Sequence, residues 1–251
     1  MAIKTRKISD WLSANGQAVT NASKATMEDA IRTDIGQLYD GVFIMFHRKS
    51  DNYPLAVRVS SWASYQTGGE IAEGVLLVEG GKHLVIAPTE ASSAKWSSKP
   101  VSSSDTSGSV QISGVTTTSD RIAALNDFAG RANTTAIING STSSNVTNTE
   151  DYAAGFCNRY SRTNANGKGL TAGRWWLPSI GEMAMIWANF DKINYALSKI
   201  NGATQLQTTW YWTSTQNSAS LAWFLYLGDG FVGNFYKFNQ GRVRPVSAFL
   251  N

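Results

Sequence analysis

Cysteine occurs once in this chain, at Cys157, and histidine twice, at His47 and His83. One thiol cannot close an intrachain disulfide, and three such side chains fall short of a four-ligand zinc site, so stability has to come from packing. Charge is scarce as well. Asp, Glu, Lys and Arg make up 16% of the 251 residues, and the net +4 comes from dispersed Lys and Arg, with no basic run that could track phosphates. Nucleic acid is not an expected partner. Long apolar runs are also missing: the longest near the N-terminus, "VFIMF", is far too short to span a bilayer, and "MAIKTRKISDWLSANGQ" holds no segment of the signal-peptide kind. No membrane insertion is expected, and the chain reads as a cytosolic product without a signal peptide. Nor is there a nucleophile elbow, a phosphate loop or a His/Asp/Glu cluster at metal-ligand spacing. These absences speak against an enzyme, a metal site and a cofactor.

What is present is a globular chain. Hydrophobic residues reach 42%, and the length suits one large domain or a domain with an appendage. In "ATMEDAIRTDIGQLYD" the spacing of Met27, Ile31, Ile35 and Leu38 predicts an amphipathic helix with Thr26 as N-cap. "GVFIMFHR", "PLAVRVSSW" and "GVLLVEGGKHLVIA" then read as strands, the last broken by a Gly80-Gly81 turn, in an antiparallel arrangement. "SSKPVSSSDTSGSVQISGVTTTSD" has too few large apolar residues for a core element and reads as an inserted loop or edge strand. Helices are expected in "SDRIAALNDFAGR", with Ile122, Leu125 and Phe128 on one face, in "EDYAAGFCNRY", with Cys157 a buried thiol, and after "WLPS". There Ser179 and Glu182 have capping-box spacing ahead of Met183, Ile186, Trp187 and Phe190, and Trp175 and Trp176 are expected in the core. "NTTAIINGSTSSNVTNTE" reads as a polar loop, and His47 and His83 as ordinary strand residues.

The densest run of aromatic rings lies in Tyr211 to Phe249. Alternation in "AWFLYLGDGFV" puts Trp223, Leu225, Leu227 and, past an Asp229-Gly230 turn, Val232 on one face, with Phe224, Tyr226, Gly228, Phe231 and Gly233 on the other. One face can line a core. The second can be covered by the Ser/Thr-rich stretch, by a partner subunit or by a ligand, and the last is the expectation adopted. After Val232 the alternation fails in "GNFYKFNQG", which reads as an irregular loop, a common place for binding residues.

"GRWWLPSIGEM", "YWTST", "AWFLYL", "DG" and "RVRPVSAF" resemble the variable proteins diversified by diversity-generating retroelements, a family that includes phage receptor-binding proteins of the tropism-determinant type. The resemblance runs over roughly Gly74 to Phe249, densest in the last third. It implies an α+β chain with a C-type-lectin-type fold, short antiparallel strands and flanking helices. The expected division is an oligomerisation or attachment region at 1–66 and a lectin-like domain at 67–251, hypervariable at about 211–244. In that family, Asn-type codons are mutated at adenines, and randomising their first two letters can yield residues such as Phe, Tyr, Gly, Leu, Asp, Ser or Asn, but never Lys, Gln, Glu, Met or Trp.

The ligand-binding set implied on this sequence is Asn217, Ser220, Leu221, Phe224, Tyr226, Gly228, Phe231, Gly233, Asn234, Phe235, Tyr236, Phe238 and Asn239. Trp223, Lys237, Arg242 and Arg244 fall to a fixed framework, while Gln216 and Gln240 depart from the codon pattern. The resemblance further implies a host cell-surface protein or glycan as partner, other virion tail proteins beside it, a homotrimer, and a place in the phage tail. A non-diversified tail or fibre component is the main alternative. A formylglycine-generating-enzyme-like protein is a lesser one, since that chemistry needs paired cysteines and only Cys157 is present.

Overall fold

The computed structural model describes residues 40–140, 145–146 and 148–248. The expected helix through Met27, Ile31, Ile35 and Leu38 lies outside the described residues. Those described form a mixed α+β domain of mostly antiparallel sheet with short helices.

The first sheet is built from β1 (Gly41–His47), β2 (Pro54–Arg58), β3 (Gly74–Glu79) and β4 (Lys82–Ile86), closed by the late strand β12 (Val246–Ser247). Its order is β12-β4-β3-β1-β2 with every pairing antiparallel. The β3–β4 hairpin turns at Gly80 and Gly81, both at positive φ, which suits a two-residue turn between twisted strands. A helix, α1 (Trp62–Thr67), follows β2 and buries Trp62 against Phe46. Because β1 and β2 pair within the same sheet as β3, the expected boundary at 66/67 is corrected: residues 41–66 belong to this domain.

The second sheet contains β5 (Ala91–Lys95), β8 (Trp210–Gln216), β9 (Leu221–Tyr226), β10 (Val232–Tyr236) and β11 (Gln240–Val243). Its order is β10-β9-β8-β11-β5, with β11 parallel to β8 and the rest antiparallel. Between the two halves of the chain come α2 (Arg121–Leu125), α3 (Gly130–Asn139), α4 (Ala153–Arg159), a small ribbon of β6 (Arg162–Thr163) and β7 (Gly169–Leu170), α5 (Ile180–Ala188) and α6 (Phe190–Leu197). Asp120 caps α2 by accepting from Ala123 N at 2.9 Å, and at α5 the expected box forms, Ser179 N donating to Glu182 Oε2 at 2.8 Å. Two helical expectations need correction. Gly130 to Asn139, read as loop in part, is helix α3, while α2 stops at Leu125 and leaves Ile122 and Phe128 exposed.

Two cores result. The first joins Ile44, Phe46 and Val75 of the first sheet with Ile180, Met183 and Ile193 of the helices and with Tyr211, Trp223 and Leu225 of the second sheet. The second lies on the other face of the second sheet, where Trp96, Ile112, Val115, Ile137 and Cys157 pack on Trp212, Ala222 and Phe224. The Ser/Thr-rich stretch therefore does supply core residues, Ile112 and Val115, although it forms no regular element between 97 and 120. Cys157 is fully buried, which drives its thiol pKa well up and leaves it the packing residue expected.

The chain changes sheet twice at one place. Residues 87–90 carry it from β4 to β5, and residues 244–245 carry it back from β11 to β12. Glu90 receives Arg242 Nη1 at 2.6 Å and Arg244 Nη2 at 2.7 Å, and Tyr211 donates its hydroxyl to the same carboxylate at 2.8 Å. Arg244 also donates to the carbonyls of Ala87 and Thr204, each at 3.0 Å, so both arginines serve the framework. Removing the fully buried Arg244 leaves Glu90 and two carbonyls short of partners. Arg244→Ala is expected to destabilise the domain by about 3–5 kcal/mol, against about 1 kcal/mol for the half-exposed Arg242→Ala. Urea unfolding of the two variants checks the order, and equal losses would break this account.

Candidate functional site

The β9–β10 hairpin forms one margin of the second sheet, so its geometry follows from the ladder. Tyr226 N donates to Phe231 O at 2.9 Å and Lys237 N to Ser220 O at 3.0 Å, and the register between them runs unbroken from Val232↔Leu225 to Tyr236↔Leu221. Two corrections follow. Val232 to Tyr236 is a regular edge strand rather than an irregular loop, and residues 233–236 do not share one face. Gly233 and Phe235 stand with Phe224, whereas Asn234 and Tyr236 stand with Trp223 on the side of the first core.

The alternation expected in β9 holds. Trp223, Leu225 and Leu227 are buried in the first core with Val232 packed against them. The opposite face is not left to solvent, however. Phe224 is only 6% exposed and belongs to the second core, because α3, α4 and the Ser/Thr-rich stretch cover that side. Phe224 is thus a floor and not a solvent-facing anchor. Over it lies an aromatic group: Phe235 stacks on Phe224 at 4.9 Å between centroids, Trp210 meets Phe235 at 5.2 Å and Phe224 at 5.4 Å, and Phe231 lies 6.0 Å from Phe224. Phe231 and Phe235 are 56% and 41% exposed.

The remaining expected residues spread along the same hairpin. Asn217 and Ser220 in the β8–β9 turn and Leu221 at the start of β9 are half-buried, and Leu221 O accepts from Asn217 N and Ser218 N. Tyr226 is half-buried with its ring over Gly228, and Asn234 is exposed. Tyr236 and Phe238 stack at 5.7 Å near the end of β10, with Asn239 half-buried beyond them. Gly233 is not free to vary alone: a Cβ there would lie 2.6 Å from Phe224 Cζ and 2.8 Å from Phe231 Cε1.

Sequence reading missed two rings. Trp210 borders the exposed group, with Gly241 packed against its ring. Trp187 was expected in the helix core, but it is 40% exposed on α5 and its indole lies against Gly230, beside Phe231. The glycine at that turn is the one sequence signal that leaves room for such a ring.

Outside the expected binding set, Gln216 and Lys237 have buried duties. Gln216 is fully buried: its Oε1 accepts from Lys237 Nζ at 2.6 Å and Ile112 N at 3.3 Å, and its Nε2 donates to Ile112 O and Thr117 Oγ1. It ties the Ser/Thr-rich stretch to β8. Gln240 sits on β11, exposed, where Ser93 Oγ donates to its Oε1. Lys237 is buried at the end of β10, donates also to Val110 O at 3.2 Å, and holds its ammonium 4.4 Å from the Trp96 ring centre. Among the described residues no three His, Cys, Asp or Glu side chains come together as a metal site, and no helix is long and apolar enough to cross a membrane.

No protein-family model and no curated protein matches the chain. Among solved structures it is similar to a fimbrial protein from Bacteroides ovatus, at 20% identity and a TM-score of 0.46, over 66% of this chain and 36% of that one. The chain thus corresponds to about a third of the length of that protein.

Burial lowers the Lys237 pKa from 10.5 to about 7, and raises that of Glu182, behind Trp176, from 4.5 to about 7. Between pH 7 and 10.5 the unfolded chain holds a proton on Lys237 that the folded chain lacks, so stability rises with pH across that window. Glu182 acts in the opposite sense lower down: between pH 4.5 and 7 the folded chain keeps a proton that the unfolded chain loses, and stability falls as pH rises. A minimum near neutrality is expected from the pair. In Lys237→Met the alkaline rise, worth roughly 2–4 kcal/mol, should vanish. Denaturant unfolding from pH 5 to 10 tests this, and an unchanged alkaline limb in the variant would disprove it.

Proposed function

We propose that this chain is a non-enzymatic receptor-binding protein of C-type-lectin-type fold, diversified by a retroelement and carried on a phage tail to a host cell-surface protein or glycan. One observation carries the reading. Between 211 and 244 the exposed residues are Gly228, Asp229, Phe231, Asn234, Phe235 and Gln240, and all but Gln240 are ones that a mutated Asn-type codon can encode. The residues beyond its reach in Trp212 to Lys237, namely Trp212, Gln216, Trp223 and Lys237, are all buried. The burial of Gln216 supports a framework place for it, while the exposed Gln240 remains a departure from the codon pattern.

The chemistry of the surface agrees with binding. Exposed rings supply large contact area for little rotamer entropy, and the intervening Gly and Asn shape it, as in antibody paratopes. Trp187, outside the diversified segment, adds a partly exposed ring against Gly230 of the same turn. The amphipathic stripe of Met27, Ile31, Ile35 and Leu38 is the proposed trimer seam, to be checked by light scattering of residues 1–251 against 40–251.

The decisive observation is the neighbouring DNA: a reverse transcriptase gene and a near-copy of the 211–244 coding segment, differing only at adenines. Their absence would favour the tail-component alternative. At the protein level, Phe231→Ser/Phe235→Ser is expected to shift stability by about 1 kcal/mol or less in total while abolishing adsorption to host cells. Phe224→Ser should instead cost about 3 kcal/mol or more, since it empties the second core. Thermal melts beside an adsorption assay read both, and a double variant that still adsorbs would move the site elsewhere.

A further inference from the structure

Strand β10 closes one side of the second sheet, no described strand pairs with its outer edge, and the ladder says which groups point outward. The bonds Tyr226 N to Phe231 O and Lys237 N to Ser220 O fix Phe231, Gly233, Phe235 and Lys237 as the residues that bond to β9. The alternate residues Val232, Asn234 and Tyr236 therefore turn their N–H groups away from the sheet, as do the carbonyls of Val232 and Asn234. The Tyr236 carbonyl is already taken by Asn239 N at 2.9 Å. Among the described residues no hydrogen bond reaches those three N–H or two C=O groups. Asn234 and Phe235 are exposed at this edge.

Natural sheets protect such an edge with a proline, a charge, a bulge or a covering segment. The sequence of β10, VGNFY, has neither proline nor charge, its register to β9 is unbroken, and the next lysine, Lys237, is turned inward. An unguarded, regular edge in the midst of exposed rings calls for a strand.

We infer that the ligand is bound by strand addition: an extended, uncharged polypeptide segment of the partner pairs with β10 and places an apolar side chain beside Gly233, between Phe231 and Phe235. This rests on the receptor-binding reading and narrows its ligand to a protein with an accessible extended segment. A peptide strand alone offers donors and acceptors at the repeat of about 6.8 Å that Val232, Asn234 and Tyr236 present, whereas glycan hydroxyls have no such fixed period. Main-chain pairing supplies affinity that no side-chain substitution removes, and the side chains on either side of it supply the choice of partner. A surface whose side chains are reset by mutation keeps its docking bonds in this arrangement.

The test uses the full chain and, as probe, a displayed library of linear twelve-residue peptides. Selected peptides are expected to slow amide exchange at Val232, Asn234 and Tyr236, while Gly233 and Phe235, already in the ladder, change little. Asn234→Pro removes one outward N–H and leaves the β9 ladder whole, since proline is tolerated where an edge N–H faces solvent. It should weaken the selected peptides about tenfold, whereas Asn234→Ser should keep affinity within about threefold. Should Asn234→Pro fail to fold, the exchange pattern of the unaltered chain decides alone. Peptides that bind without protecting those amides overturn strand addition. So does a library that yields no binder while host cells or a glycan array are still bound through Phe231 and Phe235, a result that leaves the receptor-binding reading standing. A dimer in sedimentation that Asn234→Pro dissociates would assign the edge to a second copy instead, and would equally overturn the inference.

Discussion

The carboxylate of Glu90 holds the architecture together because both passages between the sheets meet there. On the way out, Ala87 N donates to Pro245 O at 2.9 Å, and on the way back Arg244 returns a bond to Ala87 O. Glu90, Arg242, Arg244 and Tyr211 then join the start of β5, the C-terminal end of β11 and the start of β8. A buried ion pair is a poor source of stability, since the desolvation of its charges offsets most of their attraction. What it fixes is direction. With one carboxylate shared by two guanidiniums and a phenol, β11 can lie beside β8 in only one sense, and the C-terminal passage to β12 returns to the edge of the first sheet.

From that anchor the second sheet grades outward. β8 is buried on both faces, β9 is buried except near its ends, and β10 is attached to β9 alone and meets water along its length. Substitutions therefore cost less with each step from the clamp. The outermost strand is the place where side chains can change while the fold does not, and the exposed rings collect there.

The gradation also explains which features were legible in the sequence. Periodicity identified the core-facing row of Trp223, Leu225 and Leu227 because a strand with period two declares its two rows. It could not say that both rows are covered. The cover for Phe224 comes from Ile112 and Val115, two β-branched residues in a stretch rich in Ser, Thr and Gly, and from Ile137 of α3. Burial there depends on contacts far apart in the chain, which local composition does not carry. The β3–β4 hairpin and the Ser179/Glu182 cap were readable for the opposite reason: neighbouring residues decide them. Trp187 was misplaced because helical spacing groups it with Met183 and Phe190, while the turn at Gly230 draws its ring outward onto the hairpin.

The coupling of Gly233 to Phe224 sets a limit on how freely such a surface can vary. Phe224 occupies the space that the missing Cβ at Gly233 leaves open, and Phe235 stacks on the same ring. A larger residue at 233 would have to push Phe224 into a core already filled by Ile137 and Trp212, at a cost of about 1–3 kcal/mol for overpacking. A small residue at 224 would relieve that clash and forfeit the ring's burial. The two positions therefore exchange volume rather than vary independently. Phe231 shares the contact with position 233, whereas Asn234, exposed on the other side of the strand, carries no such constraint. Independent variation is thus confined to outer residues of the hairpin such as Asn234, and the inner pair determines how high above the sheet that surface stands.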